Sequence, residues 1–407
     1  MKNRLFIFVI IGACSCTHIS RNQEWIQDIL NAKTDSTVIL NIMSIIQSEY
    51  PLSQLLDTVR YVELDNAEQA LLATIKNIKV THELIYVLDI DDRLKCFDRQ
   101  GNFIRDAYSK GGGPNEIGHF IDFDVDESYL YILDGAKIAL FTFDHDGTFV
   151  KKENIPFRAE MFKHLSDNRY LFYLSRFSKR DEYNFDKIVL TDDKFNIIQP
   201  VLHYIENTRP SAVYPFFENC ADTKFFCDGM GNGLFELKDS IISMKYYLDF
   251  DGKYFNTDVN VDGYKLAVEQ KIYFAARSPI HNENYILQPF FAGLQRNGTL
   301  FIRLKDNKAM FIEKLIEDKI DVISFLFSYT IGYDSTTNEF YGFSNYWDLE
   351  NIDDVDKIAK ISKIREVMPS HVQPFLLREN AEQTTNHILI FYKLKKDIEF
   401  SENDNKR

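Results

Sequence analysis

"GGGPNEIGHFIDFDVDESYLYILD", residues 111–134, is the stretch on which the fold turns. Three consecutive glycines and Pro114 stand together in a chain with only 17 glycines. Such a run can wrap a phosphate or join two strands. A Walker-type phosphate loop needs G-x-x-x-x-G-K-[ST], and no Lys-Ser or Lys-Thr stands after these glycines. The residues beyond them read as strand: "FIDFDVD" (120–126) alternates apolar and acidic residues, and "LYILD" (130–134) is a short apolar run. Gly111, Gly112 and Gly113, closed by Pro114, therefore read as a structural joint that lets the backbone swing from one strand unit to the next.

The unit recurs on both sides. "IYVLD" (85–89) precedes "LKCFDRQGNFIRD" (94–106), as "LYILD" precedes "IALFTFDHDGTFVKK" (138–152). A degenerate third copy is "RYLFYLSRF" (169–177) with "KIVLTDDKFNII" (187–198) after it. The period is about 45 residues with several strands per unit, the signature of a β-propeller. Hairpin turns stand at Gln100-Gly101, Asp146-Gly147, Asp251-Gly252 and Asn297-Gly298. Helical periodicity is confined to 350–366, "ENIDDVDKIAKISKIRE", which reads as a small insertion over one face.

Four further pieces carry a family resemblance: "LDTVRYVELDNAEQALLATIKNIKV" (56–80), "FDRQGNFIRDAYSKGGGPNEI" (97–117), "FCDGMGNGLFELKDSIISMKYYLDFDGKYF" (226–255) and "NHILIFYKLK" (386–395). With them the chain resembles the six-bladed β-propeller lipoproteins of Bacteroidetes, built from NHL-like repeats. The resemblance implies an all-β, six-bladed β-propeller of four-stranded antiparallel blades. It also implies that "TVRYVEL" (58–64) and "HILIFYKL" (387–394) pair and close the ring, hiding two edges. The expected organisation is a signal peptide and acyl site (1–16), a leader (17–50), the propeller (51–396) and a disordered tail (397–407).

The N-terminus, "MKNRLFIFVIIGACSCTHIS", has a basic start, a short apolar run and small residues before Cys14. It resembles a bacterial lipoprotein signal with Cys14 as the acylated residue and Cys16 as the alternative; an ordinary secretory signal is the plainer reading. Such a signal implies anchorage in the envelope, with the outer membrane as site. "SCTHISRN" after Cys14 lacks the acidic run of surface-exported lipoproteins of that group, which favours the periplasmic face. Cys220 and Cys227 are close enough in sequence to pair in an oxidising compartment.

Net charge is −14 with no basic block, which argues against nucleic acid as a partner. Asp122, Asp124 and Asp126 are spaced like the start of an EF-hand loop, but Glu127 and Leu133 stand where that loop needs Gly and Glu. They form a weak calcium candidate beside the plainer reading of one polar strand face. No H-x-H, H-E-x-x-H or G-x-S-x-G occurs, so no catalytic residues are nominated and no cofactor is expected. Tyr346 and Trp347 offer stacking surfaces for a ligand, as do Phe216 and Phe217; Arg176, Arg277 and Arg303 are candidates for an axial anion funnel. The reading that results is a lipid-anchored binding or scaffold protein presenting one face to a glycan, a peptide or an envelope protein of an uptake complex. The alternative is a polysaccharide hydrolase or lyase with its site at the axial funnel.

Overall fold

Phe120–Val125 and Tyr129–Asp134 form an antiparallel hairpin, which Ala139–Asp144 and Phe149–Asn154 extend to a four-stranded sheet. In the computed structural model six such sheets stand as blades around one axis. The structure describes residues 33–174, 186–203, 216–217, 224–227, 232–238, 241–253, 273–275, 277–292, 295–316, 318, 330–344 and 386–400. Blade 1 lies within residues 75–106, blade 2 within 120–154, blade 3 within 159–203, blade 4 within 216–249, blade 5 within 273–312 and blade 6 within 330–394. The first strand of each blade is the innermost, and the inner strands of blades 5, 6, 1, 2, 3 and 4 touch in that order, blade 6 returning to blade 1. The expected helical insertion at 350–366 lies outside the described residues.

Closure has the pattern read from the sequence. The outer strand of blade 6 is Leu56–Glu63, which pairs antiparallel with Ile388–Leu394; Glu63 lies opposite Ile388 and Tyr61 opposite Ile390. Along the seam to blade 1, Arg99 forms an ion pair with Asp334. The guanidinium of Arg60 lies 4.0 Å from the Phe391 ring centre and that of Arg99 5.6 Å, so one buried ring is flanked by two cations.

Residues 33–50, within the segment 17–50 expected as a leader, are part of the ring. Lys33–Asn41 adds in parallel to the outer strand of blade 4, Ile241–Asp249. Ile46–Gln47 does the same on Lys308–Ile312 of blade 5, and Tyr50–Pro51 pairs with Leu315–Ile316. At the other end, residues 397–400, expected to open a disordered tail, are held on blade 5. The Tyr50 hydroxyl donates to the Glu399 carbonyl (2.9 Å), and Phe400 stacks on Tyr285.

The core is divided as the topology demands, into six apolar clusters, each filling the gap between two adjacent blades. Period-two alternation sends one face of every strand to each neighbouring blade, so both faces must be apolar. The share of Phe and Tyr supplies flat rings for these gaps: Phe123, Phe141, Phe162 and Phe172 are all buried.

The turn between third and fourth strands shows how the repeat degenerates. In blade 1, Asp98 Oδ1 accepts the amides of Gln100 and Asn102, and Gly101 sits at φ +91°. Blade 2 repeats this with Asp144 and Gly147, φ +86°. In blade 3, Asp192 accepts the amides of Lys194 and Asn196, but Phe195 holds the left-handed position at φ +64°. A side chain there is strained by about 1 kcal/mol, offset because the ring is buried against Tyr170 and Phe172. Gly101 has no such latitude: a Cβ would meet the Glu63 carbonyl oxygen at 2.0 Å.

Two outcomes test this. Gly101→Ala is expected to lower stability by about 3 kcal/mol in urea denaturation. Phe195→Gly is expected to be less damaging than Phe195→Ala by about 1 kcal/mol, the reverse of the usual order, because only glycine relaxes at positive φ. Equal losses for the two Phe195 variants would refute the strain assigned to that turn.

Candidate functional site

Each inner strand is the edge of its own sheet, so backbone bonding cannot join one blade to the next along the axis. Side chains make that link. On blade 2, Asp122 Oδ2 accepts the Phe162 amide of blade 3 (3.0 Å), and Asp124 Oδ2 accepts the His164 amide (2.8 Å). Acids two residues apart thus meet amides two residues apart, one carboxylate per pleat. The other oxygen of Asp124 receives two ammonium groups, Lys79 Nζ of blade 1 at 2.8 Å and Lys163 Nζ of blade 3 at 3.0 Å. The two lysine side chains are 7% and 3% exposed and Asp124 is wholly buried, so one carboxylate ties three blades.

Asp126, at the end of the same strand, accepts the Tyr131 hydroxyl (2.7 Å) and the amides of Ser128 and Tyr129, with His164 Nδ1 at 3.1 Å. The Glu127 carboxylate reaches back to blade 1 and accepts the His82 amide (3.1 Å). His145 bridges the same blades, one ring nitrogen 2.8 Å from the Tyr86 hydroxyl and the other 3.0 Å from the Asp126 carbonyl oxygen. The spaced acids that resemble an EF-hand start therefore face lysines, a histidine and backbone amides of adjacent blades. Among the described residues no group of His, Cys, Asp and Glu is arranged to hold a metal ion.

Identical residues titrate differently here because their surroundings differ. Burial pushes Asp122 up to about 6, against the milder pull of Lys79 and two amides. Burial also opposes ionisation of Asp124, but Lys163 and Lys79 outweigh it and hold the carboxyl below its ordinary range. Asp126 is held down at about 2: burial opposes ionisation, and the hydrogen bonds from His164, Tyr131 and two amides overcome it. Burial lowers Lys79 more than its acidic neighbours raise it.

Strand direction alternates within a blade, so the turns between first and second strands share one face of the ring. On that face a cleft of about 580 Å³ opens between blades 5 and 6. Asn282 and Asn284 line it from the first turn of blade 5, Asn338 from the first turn of blade 6, and Lys393, Lys395 and Lys396 from the end of the closing strand. Asp57 and Asp397 add two carboxylates. The floor includes Tyr285, whose hydroxyl donates to the Lys396 carbonyl (2.7 Å).

The residues singled out in the sequence do not assemble at one place. Gly111–Pro114 runs from the outer strand of blade 1 to the inner strand of blade 2. Glu116 folds back over it, accepting the Gly113 amide (2.7 Å), and Lys137 Nζ binds the carbonyls of Gly113 and Glu116. Arg303 is on the third strand of blade 5, not at the axis, and forks onto Asp306. Arg277 lies 5.9 Å from the Phe343 ring centre, and its carbonyl accepts from Gln288 Nε2 (2.7 Å). Phe216–Phe217, read as loop aromatics, is the inner strand of blade 4. Cys227 is buried in blade 4. Cys14, Cys16, Arg176, Cys220, Tyr346 and Trp347 lie outside the described residues.

Sequence reading passed over Lys79 and Lys163, although a signal was present: each is a lysine on an inner strand, "IKNIKV" and "AEMFKH", about one repeat to either side of Asp124. It also passed over the cleft, whose lining comes from four distant segments.

Removing the shared counter-charge with Asp124→Asn leaves two buried ammonium groups facing a neutral amide. It is expected to cost about 3–5 kcal/mol, whereas replacing Lys79, Asp124 and Lys163 together with apolar residues recovers most of that loss. A single variant as stable as the parent in denaturant titration would refute the tie. Asp122 gives a pH signature. Its folded pKa is raised, so the native state holds the proton more tightly and this residue's contribution falls as pH rises from about 4 to about 6. Asp122→Asn is therefore expected to gain on the parent by about 2 kcal/mol across that window; parallel curves would contradict it.

A family model described as a domain of unknown function, DUF4934, matches residues 37–393. No curated protein matches the chain. Among solved structures, the chain is similar to a Bacteroides fragilis protein named as an exported protein, with a TM-score of 0.61 and 16% identity over 86% of this chain and 99% of that one. A member of the DUF4221 family from Bacteroides vulgatus gives a TM-score of 0.49 and 12% identity over 84% and 97%. Virginiamycin B lyase from Staphylococcus aureus gives 0.36 and 11% over 63% and 74%. The first of these shares the propeller fold.

Proposed function

The chain belongs to the DUF4934 family, and from that premise we propose that it is a binding protein of the bacterial cell envelope, a rigid ring presenting one face to a glycan, a peptide or a subunit of an uptake complex. The observation that carries this reading is the polar cleft between blades 5 and 6. It is a recess of small-molecule size on a scaffold whose axial charges already neutralise one another. Among the described residues the axial acids Asp122 and Asp124 take their partners from the ring itself, which leaves the rim for recognition.

Anchorage through a lipid on Cys14, or Cys16, is part of the same proposal, with the ring held at the outer membrane facing the periplasm. Among the described residues no helix is long and apolar enough to cross a membrane. Metabolic labelling with an alkyne fatty acid is expected to mark the protein and to be lost in the Cys14→Ser/Cys16→Ser variant. Labelling that survives in that variant would overturn the acyl site.

Thermal denaturation screened against oligosaccharides, peptides and divalent metals tests the binding role. A ligand of the native ring at 100 times its Kd should stabilise it by about 2.7 kcal/mol, and its concentration series should saturate. Turnover of that ligand would move the assignment to a hydrolase or lyase. No response to any class would discard the small-ligand role.

A further inference from the structure

We propose that the cleft between blades 5 and 6 takes a hydroxyl-rich carboxylate of the kind an oligouronate presents; this rests on the binding role and names its ligand class. The first ground is charge. Lys393, Lys395 and Lys396 line the cleft, and none of the three ammonium groups meets a carboxylate or acceptor among the described residues. Several cations elsewhere are engaged: Arg60 with Glu339, Lys95 with Asp106, Arg99 with Asp334, Arg303 with Asp306. In a chain of net charge −14, three unengaged ammonium groups in one recess select for an anion.

The second ground is that the lysine-bearing wall is built rather than loose. The Lys395 amide donates to the Leu55 carbonyl (2.8 Å), and the Tyr285 hydroxyl donates to the Lys396 carbonyl. The Ile398 amide donates to Tyr285 Oη (3.1 Å), and Arg303 Nη1 donates to the Ile398 carbonyl (3.2 Å). Phe400 then covers both Tyr285 and the Arg303 guanidinium, whose carbon lies 4.6 Å from the ring centre. A backbone fixed before binding loses little freedom when the ligand arrives.

The third ground separates a sugar acid from a phosphate. Asp57 and Asp397 stand in the same lining, with the side-chain amides of Asn282, Asn284 and Asn338. Inorganic phosphate at neutral pH offers fewer hydroxyl donors than a sugar acid and more negative charge, so both carboxylates repel it more strongly. A polyhydroxylated carboxylate donates its hydroxyls to Asp57 and Asp397, presents its charge to the lysines, and accepts from the amide nitrogens of Asn282 and Asn338, whose oxygens already take the Asn284 and Tyr285 amides and the Tyr333 hydroxyl. The 580 Å³ volume is in the range of small-molecule sites.

The test is isothermal titration of the purified full chain with trigalacturonate, maltotriose and inorganic phosphate. Trigalacturonate is expected to bind saturably, at least 10-fold tighter than maltotriose, and to weaken as salt rises. Lys395→Gln/Lys396→Gln should weaken it at least 10-fold without changing the melting temperature, since both side chains are exposed. Lys314→Gln, which alters an exposed lysine paired with Glu49, should leave it unchanged. Equal binding of maltotriose, tighter binding of phosphate, or full affinity in the double variant overturns the proposal. Should peptides bind and saccharides fail, the ligand class falls and the binding role stands; if nothing in the wider screen binds, both fall.

Discussion

A ring of blades has no beginning, but a polypeptide does, and the structure depends on how that mismatch is resolved. Leu56–Glu63 supplies the outer strand to a blade whose other three strands come from the far end of the chain. Seven residue pairs thereby convert an open arc with two bare edges into a closed body. The seam is reinforced where it meets blade 1, by the Arg99–Asp334 pair and by Phe391 between two guanidinium groups. The two apolar clusters that flank blade 6 rely on this closure, because Leu56 fills one and Val62 the other.

Within the ring, the axis poses a different problem, since the inner strands present unpaired edges to one another. Asp122, Asp124 and Asp126 answer it by doing three different things with the same carboxylate. Asp122 caps an amide and is held near neutrality by burial; Asp124 binds two lysines; Asp126 terminates the strand in its own turn and holds His164. A lone buried ion pair seldom stabilises against an apolar replacement. Here one carboxylate joins three consecutive blades at a single buried point.

Blades 1 and 2 were legible in the sequence because their signals are local. Alternation over five or six residues, an Asp that caps its own turn and a glycine at positive φ all lie within one hairpin, so "FDRQGNF" and "FDHDGTF" announce the same geometry. Blade 3 was fainter because Phe195 takes the place of a glycine by burying its ring. The axial lysines were missed because their meaning depends on residues 39 and 45 positions away, on different blades. The cleft was missed for the same reason, drawn out further: Asp57, Asn282, Asn338 and Lys395 share no sequence neighbourhood, and only ring closure brings them together.

The parallel strands on the outside of blades 4 and 5 have a bearing on how the chain reaches its native state. Val38 lies beside Tyr246, Ile46 beside Phe311, Tyr50 beside Leu315 and Tyr61 beside Ile390. Every N-terminal strand thus waits for a partner made hundreds of residues later. During synthesis the earliest residues are the last to find their places, and contacts of such high sequence separation form slowly. Until the final strand emerges the seam of blade 6 stays unmade and the arc open.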